Sequence, residues 1–129
     1  MSDYTHTNLA DVEDAAVKGG FSEVQEARFA NEDLDLESLG VSYQVVKPGQ
    51  HHAFGHRHKE VEEVYVVLSG SGHIHLDDDK MPIKRLDAIR VGPEVTRGFA
   101  ADADELELLV FSRRAPGDAE IVEDFFDDA

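Results

Sequence analysis

Two histidines and one glutamate are the residues of this chain whose types and spacing best fit a chemical role. His56 and His58 are separated by one residue, and Glu63 follows five positions after the second histidine. Because side chains alternate between the two faces of a β-strand, both imidazoles would lie on the same face. A carboxylate beyond a short polar turn can converge on the same point, and two imidazoles with one carboxylate are the ligands of a facial divalent-metal site. The spacing therefore predicts a metal site at His56, His58 and Glu63.

Short strands separated by turn residues surround these three positions. The segment 63–68 is the most strongly predicted strand, because it is rich in β-branched residues and ends at the Gly-rich turn 69–72. Further strands are predicted at 41–46, 73–76, 82–85, 88–91, 96–100 and 105–111, with an edge strand at 25–30 and a short helix within 11–18. Many short strands with regularly spaced turn signals predict an all-β barrel or sandwich.

The composition of the chain disfavours nucleic acids and membranes as partners. The 129 residues predict one domain, and 28 acidic against 12 basic residues give a net charge of -16. Such a charge disfavours nucleic acid, whose phosphates require a basic surface, and it disfavours anionic membranes. No apolar run approaches the ~18 residues of a membrane span, and residues 1–10 carry no signal-peptide pattern. Because cysteine is also absent, the expected compartment is the cytoplasm, and any metal must be held by nitrogen and oxygen ligands.

The chain resembles the cupin family in two motifs. The first motif comprises His56, His58, Glu63 and Gly70, preceded by the turn Pro48-Gly49, and the segment 87–93 resembles the opening of the second motif. This resemblance implies a double-stranded β-helix, which is a small jelly-roll-like barrel that is usually dimeric and that often binds a divalent metal near its mouth. Because the family includes isomerases, oxygenases, binding proteins and storage proteins, the fold alone does not give the function.

The resemblance also divides the chain into three parts. The barrel is expected at residues 41–112, with residues 1–40 as an N-terminal extension partly packed on it. Residues 113–129 are expected to form an acidic C-terminal tail, because six acidic residues and no basic ones lie between 118 and 128. Four apolar residues could dock this tail on the barrel: Ile121, Val122, Phe125 and Phe126.

Arg97 departs from the family pattern. The second cupin motif normally ends in a histidine that is the fourth protein ligand, and alignment through Pro93 puts Arg97 at that position. Arginine does not lose its proton in proteins and cannot bind a cation. Under one interpretation, three ligands hold one divalent metal (Fe, Mn, Ni or Zn), and Arg97 orients an anionic small molecule. Under the alternative, Arg97 pairs with Glu63 in place of the metal, and the protein is a metal-free ligand-binding or sensor cupin. Whether the protein is an enzyme, and through which catalytic residue, stays open.

Two aromatic residues are further candidates for contact with a small molecule. Tyr65 shares the predicted inward face with Glu63, and Phe99 follows Arg97 by two positions. For both residues the competing interpretation is packing in the core, with the Tyr65 hydroxyl hydrogen-bonded.

The other histidines are expected at the surface or the rim of the barrel. His51 and His52 are adjacent, so at most one of them can point inward. His73 and His75 share a face, but the alternate positions Ile74 and Leu76 are more apolar and should face the core.

The strand 63–68 also predicts a partner for the barrel. The face of this strand opposite Glu63 carries Val64, Val66 and Leu68 and must be covered. A second layer of sheet or a partner subunit could cover it, so a homodimer is expected.

Overall fold

Two five-stranded antiparallel sheets form the protein, as seen in a computed structural model that describes residues 3–127. The strands are β1 (Gln25–Phe29), β2 (Leu39–Val46), β3 (Gly55–His58), β4 (Glu63–Ser69), β5 (Ser71–Leu76), β6 (Asp79–Lys84), β7 (Ala88–Val91), β8 (Arg97–Ala101), β9 (Leu106–Arg113) and β10 (Ala119–Val122). The first sheet has the order β1-β2-β9-β4-β7 and the second has the order β10-β3-β8-β5-β6. These two sheets confirm the predicted all-β jelly-roll barrel.

The N-terminal segment packs on the edge of the first sheet. It contains a 3-10 turn, Leu9–Asp11, and a short helix α1, Ala15–Gly19. The Asp14 carboxylate caps this helix by accepting a hydrogen bond from the Ala16 amide at 2.9 Å, and it also accepts one from the Ala27 amide of β1. The predicted edge strand is present as β1. In residues 3–127 no helix has the length and apolar character needed to cross a membrane.

The core lies between the sheets and is filled by the inward side chains of alternating positions. On β4, Glu63, Tyr65 and Val67 are buried, as the alternation in the sequence predicts. Phe99 and Ile74 of the second sheet are also fully buried. Because Glu63 starts the same inward row as Tyr65 and Val67, its carboxylate enters the barrel interior.

The C-terminal segment 114–127, called the C-terminal strap below, is docked on the edge of the second sheet. Its strand β10 pairs with all four residues of β3, and Phe126 is buried. Phe125 packs over Gly55 and Phe126 over Gly98, where any side chain would collide with the rings. Apolar burial of Phe125 and Phe126, together with strand pairing, therefore holds this acidic segment on the barrel. The last two residues, 128 and 129, lie outside the described residues.

Candidate metal centre and its cavity

His56, His58 and Glu63 meet at one point inside the mouth of the barrel. One ligand atom from each residue lies within 4.8 Å of the other two. Oε1 of Glu63 is 3.0 Å from Nε2 of His56 and 3.2 Å from Nε2 of His58. Strand β3 supplies both imidazoles, and β4 supplies the carboxylate as its first residue. The convergence that the spacing predicts is therefore present.

The ring of His58 is held with one nitrogen toward this point. Its Nδ1 lies 3.2 Å from Oδ2 of Asp118, which accepts the hydrogen bond. Its Nε2 is buried and has no hydrogen-bond partner, because the contact with Glu63 lacks hydrogen-bond geometry. A buried nitrogen without a partner is costly, and a metal ion bound there would satisfy it. The donor set therefore fits a divalent cation.

Glu63 is an anion in this environment. Burial alone would raise the pKa of its carboxyl, but the contacts with His56 and His58 and a hydrogen bond from Tyr65 hold that pKa well below its ordinary value. The carboxylate in turn raises the pKa of His58. The Tyr65 hydroxyl donates to Oε1 of Glu63 at 2.5 Å, and burial raises the pKa of this phenol, so it stays a donor. The site thus offers a negative oxygen beside two imidazole nitrogens.

Arg97 points into the barrel but does not pair with Glu63. It lies opposite His56 in the β3–β8 register and is 0% exposed. Its Nη2 donates to the carbonyl of Gly92 at 2.8 Å, and the neighbouring carbonyls of Val91 and Pro93 lie at 3.4 and 3.5 Å from the guanidinium. In the described part of the chain, the imidazoles of His56 and His58, and not the guanidinium of Arg97, lie within 4.0 Å of the Glu63 carboxylate. The predicted Arg97–Glu63 pair is therefore wrong for this structure, because the carbonyls of the β7–β8 turn hold the guanidinium.

Tyr65 and Phe99 lie beneath the site. Both are fully buried, and their ring centroids are 4.8 Å apart. The Tyr65 hydroxyl also lies 3.4 Å from Nε2 of His56, so it contacts two residues of the cluster. Direct contact of either ring with a bound small molecule stays a prediction, and their burial favours a packing role.

A cavity of about 630 Å³ opens next to the cluster. His58 and Glu63 form part of its wall, together with Val61 and Val110. The N-terminal segment and the C-terminal strap line the outer part of this cavity. The charged residues of this outer part are both basic and acidic: Lys18, Arg113, Arg114, Glu13, Glu32 and Asp33. The volume lies within the range of about 300–1,000 Å³ that is typical of small-molecule sites.

His52 is the buried histidine that the sequence placed at the rim. It is 7% exposed, and its Nδ1 accepts a hydrogen bond from the Phe99 amide at 3.1 Å. Burial, together with His56 and His51 nearby, lowers its pKa to about 3. His51 is exposed, as predicted, and stacks on Phe126 with ring centroids 4.4 Å apart. Because His51 and His52 are adjacent in the sequence, at most one of them was expected to point inward, and the sequence did not indicate which one.

His73 and His75 do not join the metal cluster that residues 3–127 form. The side chain of His73 is 36% exposed, and Nδ1 lies 3.9 Å from Asp102. The ring of His75 packs against Phe126 at a centroid distance of 4.9 Å. The prediction that both face away from the core is consistent with this arrangement, although the strap covers part of His75.

The buried His52 gives an expected pH dependence of stability. Its pKa is about 3 in the folded protein and about 6.5 in an unfolded chain, so between these values the unfolded state binds more protons. Stability is therefore lost as the pH falls from 6.5 toward 3, by about 2 kcal/mol between pH 7 and pH 5. His52→Asn keeps an acceptor for the Phe99 amide but cannot titrate. Urea unfolding at both pH values should show that the loss in this variant is smaller than in wild type by that amount, and equal losses would contradict the assignment.

Comparisons with known proteins place this geometry in a family. Residues 42–112 match the family described as Cupin domain (Cupin_2). A cupin protein from Bacteroides fragilis is 26% identical, with 91% of this chain and 89% of that chain covered and a TM-score of 0.70. The polyketide cyclase RemF from Streptomyces resistomycificus is 19% identical, with 95% and 86% covered and a TM-score of 0.72. A sugar phosphate isomerase of the cupin superfamily from Silicibacter pomeroyi is 20% identical, with 87% and 77% covered and a TM-score of 0.68. A search of curated proteins gave no match.

Proposed function

This chain belongs to the cupin family, and from that premise we propose that it binds a small molecule at a single divalent metal held by His56, His58 and Glu63. The observation that carries the proposal is the buried Nε2 of His58, which has no hydrogen-bond partner and faces the Glu63 carboxylate. An orphaned nitrogen beside an anionic oxygen and a second imidazole suits a first-row transition metal.

The residues around the centre each have a defined role. The Glu63 anion supplies the negative ligand, and Tyr65 holds one of its oxygens by a hydrogen bond. Asp118 accepts a hydrogen bond from Nδ1 of His58, and Glu63 lies beside the Nε2 of the same ring. Such a metal supplies Lewis-acid or oxygen-activating chemistry when bound. We propose the isomerase or oxygenase type of reaction, and the sugar phosphate isomerase and polyketide cyclase among the similar structures support a small-molecule substrate through the fold alone.

The charge of the substrate is not selected by Arg97. Its guanidinium is fully buried and is held by backbone carbonyls, so it does not line the cavity. Lys18, Arg113 and Arg114 are the basic residues that reach the cavity wall, and acidic residues lie beside them. If the ligand is anionic, these outer residues and not Arg97 would contact it.

Metal content tests the proposal. The protein, purified without an affinity tag or a chelator, is incubated separately with Fe, Mn, Ni and Zn, and bound metal is measured by elemental mass spectrometry. We expect a stoichiometry near one per chain for at least one of these metals. Protein that stays empty with all four metals would contradict the proposal and leave a metal-free binding protein.

We also propose that a second copy of the chain covers the outer face of the first sheet. Val64 and Val66 of β4 lie beside Phe111 and Leu109 of β9 in the register, and Phe111 also pairs with Val41 of β2. These neighbours form a continuous apolar face, and Phe111 is 38% exposed. Apolar faces of this kind are typical of interfaces.

Substitution of Phe111 tests the dimer. Phe111→Glu places a charge at the centre of this face and should convert a dimer into a monomer, as measured by light scattering after size exclusion. Met81→Glu is the matched control, because Met81 is 44% exposed on β6 in the other sheet. A wild-type monomer, or a Phe111→Glu dimer, would contradict this interface.

A further inference from the structure

The strand that carries both histidines of the site depends on the C-terminal strap. β3 pairs with β8 at His56 and Arg97, and the His58 amide also donates to the Pro93 carbonyl at 2.7 Å. On its other side β3 pairs with β10 along its full length, from Ala119 opposite His58 to Val122 opposite Gly55. The strap therefore pairs with every residue of the strand that carries the two imidazoles.

One buried carboxylate of the strap reaches the site itself. Asp118 is 7% exposed, and its Oδ2 accepts hydrogen bonds from His58 at 3.2 Å and from the Val61 amide at 3.1 Å. Both of its oxygens also lie within 3.2 Å of the Glu60 amide. The backbone carbonyl of Asp118 accepts from the Lys59 amide at 3.1 Å. These contacts connect the turn between β3 and β4 to the strap.

We propose that Asp118 is a positioning residue for the metal site. By accepting the Nδ1 proton of His58, its carboxylate keeps the proton off Nε2 and points that nitrogen at Glu63. Carboxylates that hold the second nitrogen of a metal-binding imidazole fix its tautomer and raise its basicity. This inference rests on the proposed metal binding at His56, His58 and Glu63.

Asp118 lies beyond the part of the chain that matches the family. The match ends at residue 112, and the carboxylate comes from the strap six residues later. The ligands thus belong to the shared barrel, whereas the group that orients one of them belongs to a segment outside it. Docking of the strap and binding of the metal should therefore stabilise each other.

Zinc affinity measured by competition with a chromogenic chelator tests this role. Asp118→Ala should weaken affinity by roughly 10–100-fold, as is typical when an outer-shell partner of a metal ligand is lost. Asp118→Asn should recover much of this loss, because its amide oxygen can still accept from the His58 Nδ1 proton. Glu120→Ala is the matched control, since this carboxylate of β10 contacts Arg57 at the surface and its removal should leave affinity unchanged. Wild-type affinity in Asp118→Ala would overturn the proposal.

A second measurement separates this inference from metal binding and from loss of fold. Nitrogen-15 NMR of the His58 ring should show a hydrogen-bonded Nδ1 proton in the wild-type protein without metal, and the same signal should persist in Asp118→Asn. Loss of that signal in a folded Asp118→Ala protein supports the positioning role even if the wild type binds no metal. Absence of an Nδ1 proton in the wild type, or zinc bound through Nδ1, overturns it without the use of any variant.

Discussion

Replacing Glu63 with glutamine is expected to abolish metal retention while leaving the barrel folded. The substitution keeps the shape of the side chain and removes the only negative charge among the three ligands. An uncharged amide is a poor partner for a dication, so metal affinity should fall by more than roughly 100-fold, beyond the loss typical of an outer-shell change. The Tyr65 hydroxyl can still donate to the amide oxygen, which limits the structural effect.

Two measurements check this expectation. Elemental mass spectrometry should find near one metal per wild-type chain and a background level in Glu63→Gln. In thermal unfolding, metal added at 100 times the wild-type Kd should stabilise the wild type by about 2.7 kcal/mol and the variant by less than about 0.4 kcal/mol. Glu62→Gln is the matched control, because Glu62 is the neighbouring carboxylate and is exposed. Full metal occupancy in Glu63→Gln would show that the metal binds elsewhere.

The barrel and the centre of the site could be predicted from the sequence because both depend on local patterns. Strand parity placed Glu63, Tyr65 and Val67 on the inward face, and all three are buried. The spacing of His56 and His58 placed both rings on one side of β3. The backbone geometry of a β-strand makes successive side chains point to opposite faces. Positions two apart in the sequence therefore lie on the same face of the folded strand.

The parts that the sequence did not predict depend on contacts between distant segments. In the sequence, nothing distinguishes Asp118 from the other acidic residues of the C-terminal segment. The pairing of β10 with β3 brings its carboxylate to His58. His52 is buried against Phe99, whose amide donates to its ring, and this contact between distant segments cannot be read from the adjacency of His51 and His52. The sequence named Phe125 and Phe126 as residues that could dock the acidic segment, but it did not show that they pack over Gly55 and Gly98.

The partners of Arg97 were not predicted for a different reason, because they are backbone groups of the adjacent turn. Alignment put Arg97 at the position of the fourth ligand without showing whether it points into the barrel, and pairing with Glu63 was one of two interpretations. The guanidinium instead donates to backbone carbonyls of the turn that precedes its own strand. Every residue has a backbone carbonyl, so the sequence does not indicate which carbonyls of a turn will accept hydrogen bonds. A prediction that considers only side-chain partners therefore omits them. Arg97 is therefore best viewed as a buried support of the β7–β8 turn that occupies the place of a fourth ligand.

Arg97→His is expected to have two opposite effects. Without metal, the free energy of unfolding should fall by on the order of 3 kcal/mol, because the carbonyls of Val91, Gly92 and Pro93 lose a buried donor and the shorter side chain leaves space. Metal affinity should rise by at least about tenfold, since the change removes a fixed cation and offers a neutral imidazole on the same face as His56.

Urea unfolding in the presence of a chelator measures the first effect, and competition with a chromogenic chelator measures the second. Arg85→His is the matched control, because Arg85 is exposed and the same change there should affect neither quantity. If Arg97→His lowers stability but leaves metal affinity unchanged, position 97 supports the turn without facing the metal. If neither quantity changes, the buried guanidinium and its carbonyl contacts are not features of the folded protein. A gain in affinity together with a loss in stability would show that this chain keeps a stable turn at the expense of a fourth ligand, and that its site is a three-ligand centre because of Arg97.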